Sequence, residues 1–385
     1  MSGEGALGVF ARAQELEAEG RSIIHLELGE PDFHPGQSVI DSAARALAEG
    51  KDRYSNVIGL PQLRREIAAY LARTRGIPVS PENIVVAPGC KIALFQSMMA
   101  LVEPGDEVLY PDPGFPAYSS ISLGLDAVPV AYTLAARNHL QPDPDEVASK
   151  ITARTRMLIT NSPGNPTGTV YSDRVQRALA ELAVKHDLWV LSDEIYARIL
   201  YGGEFLSMLR YPGMAERTLI IDGFSKSFAM TGWRLGYAVA PPEVVPALGL
   251  MVVNTYTSVA EFTQYAAIDA LKDREGNTTR MVAEFARRRD QFVRGLNGVP
   301  GFRCLAPEGA FYAWVDISGT GISAEELCRI LLEDAGVAAI PGAAFGRAGK
   351  DFIRFSFASS MATLEQAVDR MQKVSSAWQT TTAIN

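Results

Sequence analysis

The stretch Thr218–Tyr237, TLIIDGFSKSFAMTGWRLGY, decides how the chain is read. An apolar run of Leu219, Ile220 and Ile221 stops at Asp222, a glycine-bearing turn follows, and Lys226 stands between Ser225 and Ser227 with Arg234 further on. The pattern is that of a buried strand ending in a loop with a reactive amine beside an anion clamp. A lysine just past a buried strand can be desolvated enough to lose its proton and attack a carbonyl; an arginine stays charged and serves as a fixed counter-charge. An ordinary surface Lys and Arg would leave the same letters, so the rest of the chain has to supply the partners.

Two earlier runs behave alike. Arg156–Thr160 ends in Asn161 and the loop SPGNPTG, and Trp189–Leu191 ends in Ser192, Asp193 and Glu194. From Asn83 onward, strand patterns alternate with helical ones, which predicts a largely parallel sheet covered on both faces. In such sheets ligands sit beyond the carboxyl ends of the strands, so Asn165, Asp193, Tyr196 and Lys226 should converge on one crevice. Asp193 could equally cap a helix. Upstream, the strand Ile84–Ala87, the turn Pro88-Gly89-Cys90-Lys91 and the helix Ile92–Leu101 form either a plain strand-to-helix turn or a phosphate cradle. After the strand Glu107–Tyr110, Phe115 in PDPGFPAY is either a core plug or a stacking surface for a planar ligand.

Residues 5–20 read as an N-terminal helix, Ile23–Leu28 as a short strand running into the GEPDF turn (Gly29–Phe33), and Val39–Leu47 and Leu63–Ala72 as helices. Between Asn277 and Leu296, apolar residues at helical spacing predict a long helix with Arg287–Asp290 outward. The remainder is a smaller α+β unit: strand Phe311–Val315, helix Ser323–Asp334, short strand Val337–Ile340, alternating strand Asp351–Phe357 and helix Leu364–Val374. Arg354 alternates with Ile353 and Phe355; it is either a solvated strand position or a bidentate carboxylate clamp.

The 385 residues predict two domains, and 47% hydrophobic with 21% charged residues is a globular profile that excludes disorder and fibre. A net charge of −8 would repel nucleic acid and anionic membranes, so any anionic ligand needs a local site. Three scattered cysteines without zinc spacing, no export signal and no long apolar run predict a cytoplasmic chain with no metal.

An imine-forming lysine, an acid for a ring nitrogen, a phosphate cradle and a stacking aromatic are together the requirements of pyridoxal 5′-phosphate. Asp193 would keep the ring nitrogen protonated, because a nearby negative charge favours the cation. Asn165 and Tyr196 would hydrogen-bond the ring oxygen, Arg234 and the backbone of Gly89, Cys90 and Lys91 would neutralise the phosphate, and Lys226 would move the substrate α-proton.

The motifs GEPDF, RYSNVIGLPQLR (Arg53–Arg64), PGCK, PDPGFPAY, NSPGNPTG (Asn161–Gly168), SDEIY (Ser192–Tyr196), SKSFAMTGWRLGY, PEGAFY (Pro307–Tyr312) and RFSFASS (Arg354–Ser360) span nearly the whole chain. It resembles a class I/II aminotransferase of the pyridoxal-phosphate fold type I. The resemblance implies an α/β fold with a large domain built on a mostly parallel sheet with helices on both faces, and a smaller α+β domain. The expected division is 1–45 (N-terminal segment and part of the small domain), 46–284 (large, cofactor-binding) and 285–385 (small). It also implies amino-group transfer from an L-amino acid to a 2-oxo acid in two half-reactions, through an imine on Lys226. A homodimer would share its sites, with Tyr54 reaching the partner's cofactor phosphate, Phe115 stacking on the ring, and Arg354, Asn165 and the Gly29 loop binding the substrate carboxylate. Two positions depart from the family. Gly223 stands where many relatives carry a phosphate-binding serine, leaving that contact missing or to Ser225. His34-Pro35-Gly36 replaces a common Thr-Pro near the substrate entrance, so a β-lyase, decarboxylase or oxygen-using oxidase on this fold stays open.

Overall fold

A computed structural model describes residues 5–375, so the expected segment 1–45 and the C-terminal unit each have ends outside the described residues. The strands in chain order are β1 (Ile24–His25), β2 (Ile84–Ala87), β3 (Glu107–Asp112), β4 (Val128–Thr133), β5 (Thr155–Asn161), β6 (Trp189–Asp193), β7 (Thr218–Gly223), β8 (Gly236–Val239), β9 (Arg303–Cys304), β10 (Tyr312–Asp316), β11 (Val337–Ala338), β12 (Ile340–Pro341) and β13 (Phe352–Ser356). The large sheet runs β2-β8-β7-β6-β5-β3-β4, with β8 antiparallel to both neighbours and the other pairs parallel.

Period-two alternation shows why this sheet is covered on both sides. Ile84 and Val86 enter one apolar cluster, whereas Val85 and Ala87 enter another. Strands buried on both faces read as continuous apolar runs, as these do. The first face is covered by α2 (Gln37–Ala48) and α3 (Pro61–Arg75), whereas α1 (Gly5–Ala18) packs away from this sheet, with Ala13 and Leu16 against Leu332 and Ala338. The other face carries α4 (Cys90–Leu101) and α5 (Ala117–Gly124). Helices α6 (Pro144–Ser149) and α7 (Asp173–Lys185) follow, then α8 (Val245–Thr255) beside α4 and α9 (Glu261–Lys272) beside α2 and α3. Ser172 caps α7 by accepting from the Val175 N–H, the hydroxyl capping that starts helices efficiently.

The long helix is α10 (Asn277–Asn297), followed by the four-stranded sheet β12-β13-β10-β9 with α11 (Ala324–Glu333) and α12 (Met361–Val374). Ser323 caps α11 through the Glu326 N–H. Three expectations need correction. The segment Val337–Ile340 is two strands, because β11 pairs with β1 while β12 turns onto β13. The Arg287–Asp290 face of α10 is not wholly outward: Arg288 is buried, donates to Asp32 at 2.6 Å and lies 5.0 Å from the Phe33 ring centre, fastening the GEPDF turn to the helix. The strand expected over Ile23–Leu28 forms its ladder only at Ile24–His25; at Leu26 the N–H still bonds the Ala338 carbonyl, but the Leu26 carbonyl accepts from the Ser356 N–H, so the chain leaves β11 for β13 there. No described helix is long and apolar enough to cross a membrane, and no cluster of metal-ligating side chains occurs among the described residues.

Candidate active site

The carboxyl ends of β5, β6 and β7 open onto a cavity of about 380 Å³ lined by Asn165, Asp193, Tyr196, Ser225, Lys226, Arg234 and Arg354, among others. Seven residues from the ends of three neighbouring strands and from β13 therefore share one space.

Lys226 is part-buried, and its Nζ donates to the Gly29 carbonyl. Burial lowers its proton affinity to about 8, with Arg354 and Arg234 pushing the same way against Cys90 and Glu30. A lysine so placed has a usable neutral fraction near neutral pH. Asp193 ends β6; its carboxylate accepts from the Tyr118 hydroxyl at 2.7 Å and the Ile195 N–H at 3.3 Å. Burial raises it to about 6 despite those two bonds.

Arg354 is 4% exposed, which settles the choice between solvated face and clamp in favour of a buried cation facing the cavity. It donates to Asn165 Oδ1 at 3.1 Å and to the Glu27 carbonyl, and lies against the rings of Tyr312 (4.5 Å) and Phe345 (4.8 Å). Asn165 is itself held by Asn161 Oδ1, which accepts its N–H at 2.9 Å. Tyr196 is buried with its hydroxyl 2.7 Å from that of Tyr312. A Cβ added to Gly29 would lie 2.2 Å from the Tyr312 hydroxyl, so the backbone passes here only without a side chain.

Gly89 has φ 90° and precedes α4, which starts without a side-chain cap. A Cβ there would meet Arg234 Nη2 at 2.4 Å, so the helix N-terminus and the guanidinium face one small space. Backbone N–H groups, a positive helix end and an arginine are the donor set for a phosphate. Gly223 is explained by packing: its Cβ would meet Cys90 Sγ at 2.6 Å and the Gly236 Cα at 2.7 Å, so a serine has no room. Burial pushes the Cys90 thiol up, which makes it a space-filling group and not a thiolate. Lys91 lines the cavity with its Nζ 5.3 Å from the Phe115 ring centre. Phe115 both packs on the core and lines the cavity, edge-on to Tyr118.

Two singled-out residues lie elsewhere. Tyr54 is 84% exposed and does not line the cavity of its own chain. His34 lines a separate cavity of about 120 Å³ behind the lysine loop, with Ser227 and Phe228, so the feature that kept a non-transaminating reaction open is not at the site. Sequence reading gave no role to Tyr118, Tyr312 or Asn161. Tyr118 sits inside the quoted PDPGFPAY and Tyr312 inside PEGAFY, but the partners of their hydroxyls are far away in the chain.

A nucleophilic amine of lowered basicity, a buried acid, a phosphate cradle that Gly89 keeps open and an aromatic wall fit pyridoxal phosphate in this fold. The family "Aminotransferase class I and II" matches residues 21–371, and the chain belongs to it. The aspartate/prephenate aminotransferase of Thermus thermophilus is 39% identical, covering 97% of this chain and 96% of that one. The aspartate aminotransferase of Pyrococcus horikoshii is 37% identical, covering 95% and 93%. Among solved structures, the Thermus thermophilus aspartate aminotransferase with maleate superposes with a TM-score of 0.93 at 38% identity, covering 97% of both chains. The protein is thus a pyridoxal-phosphate-dependent aminotransferase with an α/β, fold type I architecture.

Proposed function

We propose that this chain moves the α-amino group of an L-amino acid to a 2-oxo acid in two half-reactions at the cavity between β5, β6 and β7, with Lys226 as the covalent anchor and proton carrier. The observation that carries the reading is the convergence of a low-basicity Lys226, a buried Asp193 and a buried Arg354 on one cavity. When bound, pyridoxal phosphate supplies an electrophilic carbonyl and an electron-withdrawing ring.

The chain's own groups do the remainder. The α4 N-terminus, Ser225 and Arg234 would hold the phosphate, and Phe115 would offer the ring an apolar surface. Asp193, held by Tyr118, would pair with the ring nitrogen, and Asn165 and Tyr196 would orient the ring oxygen. Arg354 binds the substrate α-carboxylate beside Asn165 and Gly29, with Tyr312 fixing the guanidinium plane. The Lys226 Nζ, in its neutral form, would take the proton from the substrate α-carbon and hold it as the general acid.

The site is proposed to be completed by a second copy of this chain. On α4, Ile92, Phe95 and Met99 share one exposed apolar face, Leu250 and Val253 of the neighbouring α8 extend it, and Tyr54 projects outward. An exposed apolar patch of this kind supports an interface, across which Tyr54 would reach the partner's phosphate. The division into 46–284 and 285–385 is likewise a proposal; its support is that α10 links the two main sheets. Three unpaired cysteines support a cytoplasmic setting.

The test is recycling: the amino form left by one half-reaction should return to the starting spectrum when 2-oxoglutarate or pyruvate is added. No recovery across a broad panel of 2-oxo acids would contradict amino transfer at this site.

A further inference from the structure

Behind the cavity lies an ion cluster that none of the roles above uses. Arg75, the last residue of α3, is 3% exposed and donates from Nη1 to Glu194 and from Nη2 to Asp222. Glu194 follows Asp193 directly and is held on its other oxygen by Ser192 (3.0 Å), Ser207 (2.7 Å) and the Met208 N–H (3.3 Å). Asp222 follows Ile221, the β7 partner of Asp193, and also accepts from the Tyr237 hydroxyl at 2.8 Å. Two buried carboxylates therefore flank the acid that faces the cofactor, and one guanidinium bridges both.

We infer that Arg75 is a positioning residue for the reaction: by balancing Glu194 and Asp222 it keeps Asp193 ionised, so that the shared proton sits on the cofactor's ring nitrogen. The inference rests on the reading of Asp193 as the partner of that nitrogen.

The physical argument is electrostatic. Glu194 and Asp222 each raise the proton affinity of Asp193, after burial itself and against its bonds to Tyr118 and Ile195. Burial disfavours the Arg75 charge, but Asp222 and Glu194 outweigh it and keep the guanidinium cationic. The other titratable groups around Asp193 are Tyr118 from α5, Cys90 at the start of α4 and Tyr196 beyond β6; Tyr70 and Tyr237 face the Arg75 end. Burial raises all of these except Arg75, so they stay neutral near neutral pH and Arg75 is the cation that bridges the two carboxylates. Without it, two uncompensated buried carboxylates would push the proton towards Asp193.

The experiment reads the proton directly. Holoenzyme is prepared with pyridoxal phosphate carrying ¹⁵N in the ring, and the nitrogen chemical shift is recorded at one neutral pH. Wild type should give the protonated-ring signal. Arg75→Met should move it towards the neutral-pyridine value, by roughly a tenfold change in the proton's distribution. Adding Glu194→Gln to Arg75→Met, which leaves a single carboxylate, should move it back. A wild-type signal in Arg75→Met, or a displaced signal that the second substitution does not restore, overturns the inference. Should Arg75→Met not fold, the double variant decides: a folded holoenzyme with the wild-type signal supports charge balance, and failure to fold overturns it. A neutral ring nitrogen in wild type would instead sink the reading of Asp193 and leave a different signature.

Discussion

The guanidinium of Arg354 lies 4.5 Å from the centre of the Tyr312 ring, and the same ring's hydroxyl is 2.7 Å from that of Tyr196. One aromatic side chain thus ties the residue proposed to hold the substrate carboxylate to a residue proposed to touch the cofactor. A planar cation on a ring face is held in orientation as well as in place, which a lysine would not reproduce. Arg354→Lys and Arg354→Ala should both raise KM for amino acids far more than they lower cofactor affinity, the alanine change costing about 2–5 kcal/mol of substrate binding. Steady-state kinetics with separate cofactor titration checks this. An unchanged KM would remove Arg354 from the substrate site.

Attachment of the cofactor to apoprotein should follow the neutral fraction of Lys226. Because burial lowers that amine to about 8, the attachment rate should climb with pH and level off near 8. An ordinary lysine would keep climbing towards about 10.4. Stopped-flow mixing with pyridoxal phosphate across pH distinguishes the two, and a rate still rising well above pH 9 would speak against the desolvated amine.

At Gly223 the sterics outweigh the missing hydroxyl. Gly223→Ser should not add a useful phosphate contact, since its Cβ falls onto Cys90 Sγ and the Gly236 backbone. We expect a stability loss of about 1–3 kcal/mol from overpacking, seen in denaturant unfolding. Tighter cofactor binding at unchanged stability would be the opposite result.

The apolar face of α4 and α8 should be covered in solution. Wild type should sediment as a dimer, and Phe95→Glu, which puts a charge in the centre of that face, should give monomers with weakened cofactor retention. A wild-type chain that sediments as a fully active monomer would discard both the interface and the role proposed for Tyr54.

Much of this site was legible because each loop follows a buried strand and carries turn residues that a helix could not use. Lys226, Asp193, Asn165 and Arg234 could be named from that pattern alone, and the structure brings them to one cavity. The resemblance, and not the spacing, supplied the substrate role of Arg354. Strand alternation put Arg354 opposite Ile353 and Phe355, but only tertiary packing against Tyr312 and Phe345 shows that its side of the sheet is buried. Arg75 lies just past the helix read over Leu63–Ala72, and nothing in its sequence neighbourhood marks it; its carboxylate partners are 119 and 147 residues away. Arg288 was misread for the same reason, since helical periodicity places a charge on a face and does not reveal that Asp32 and Phe33 cover it.

The central claim is that Lys226, and not the other lysine lining the cavity, carries the cofactor. Holoenzyme reduced with borohydride and digested should show the pyridoxyl mass on the peptide containing Lys226, and Lys226→Ala should show none. A pyridoxyl group on Lys91, or a reducible attachment that survives Lys226→Ala, would contradict the account.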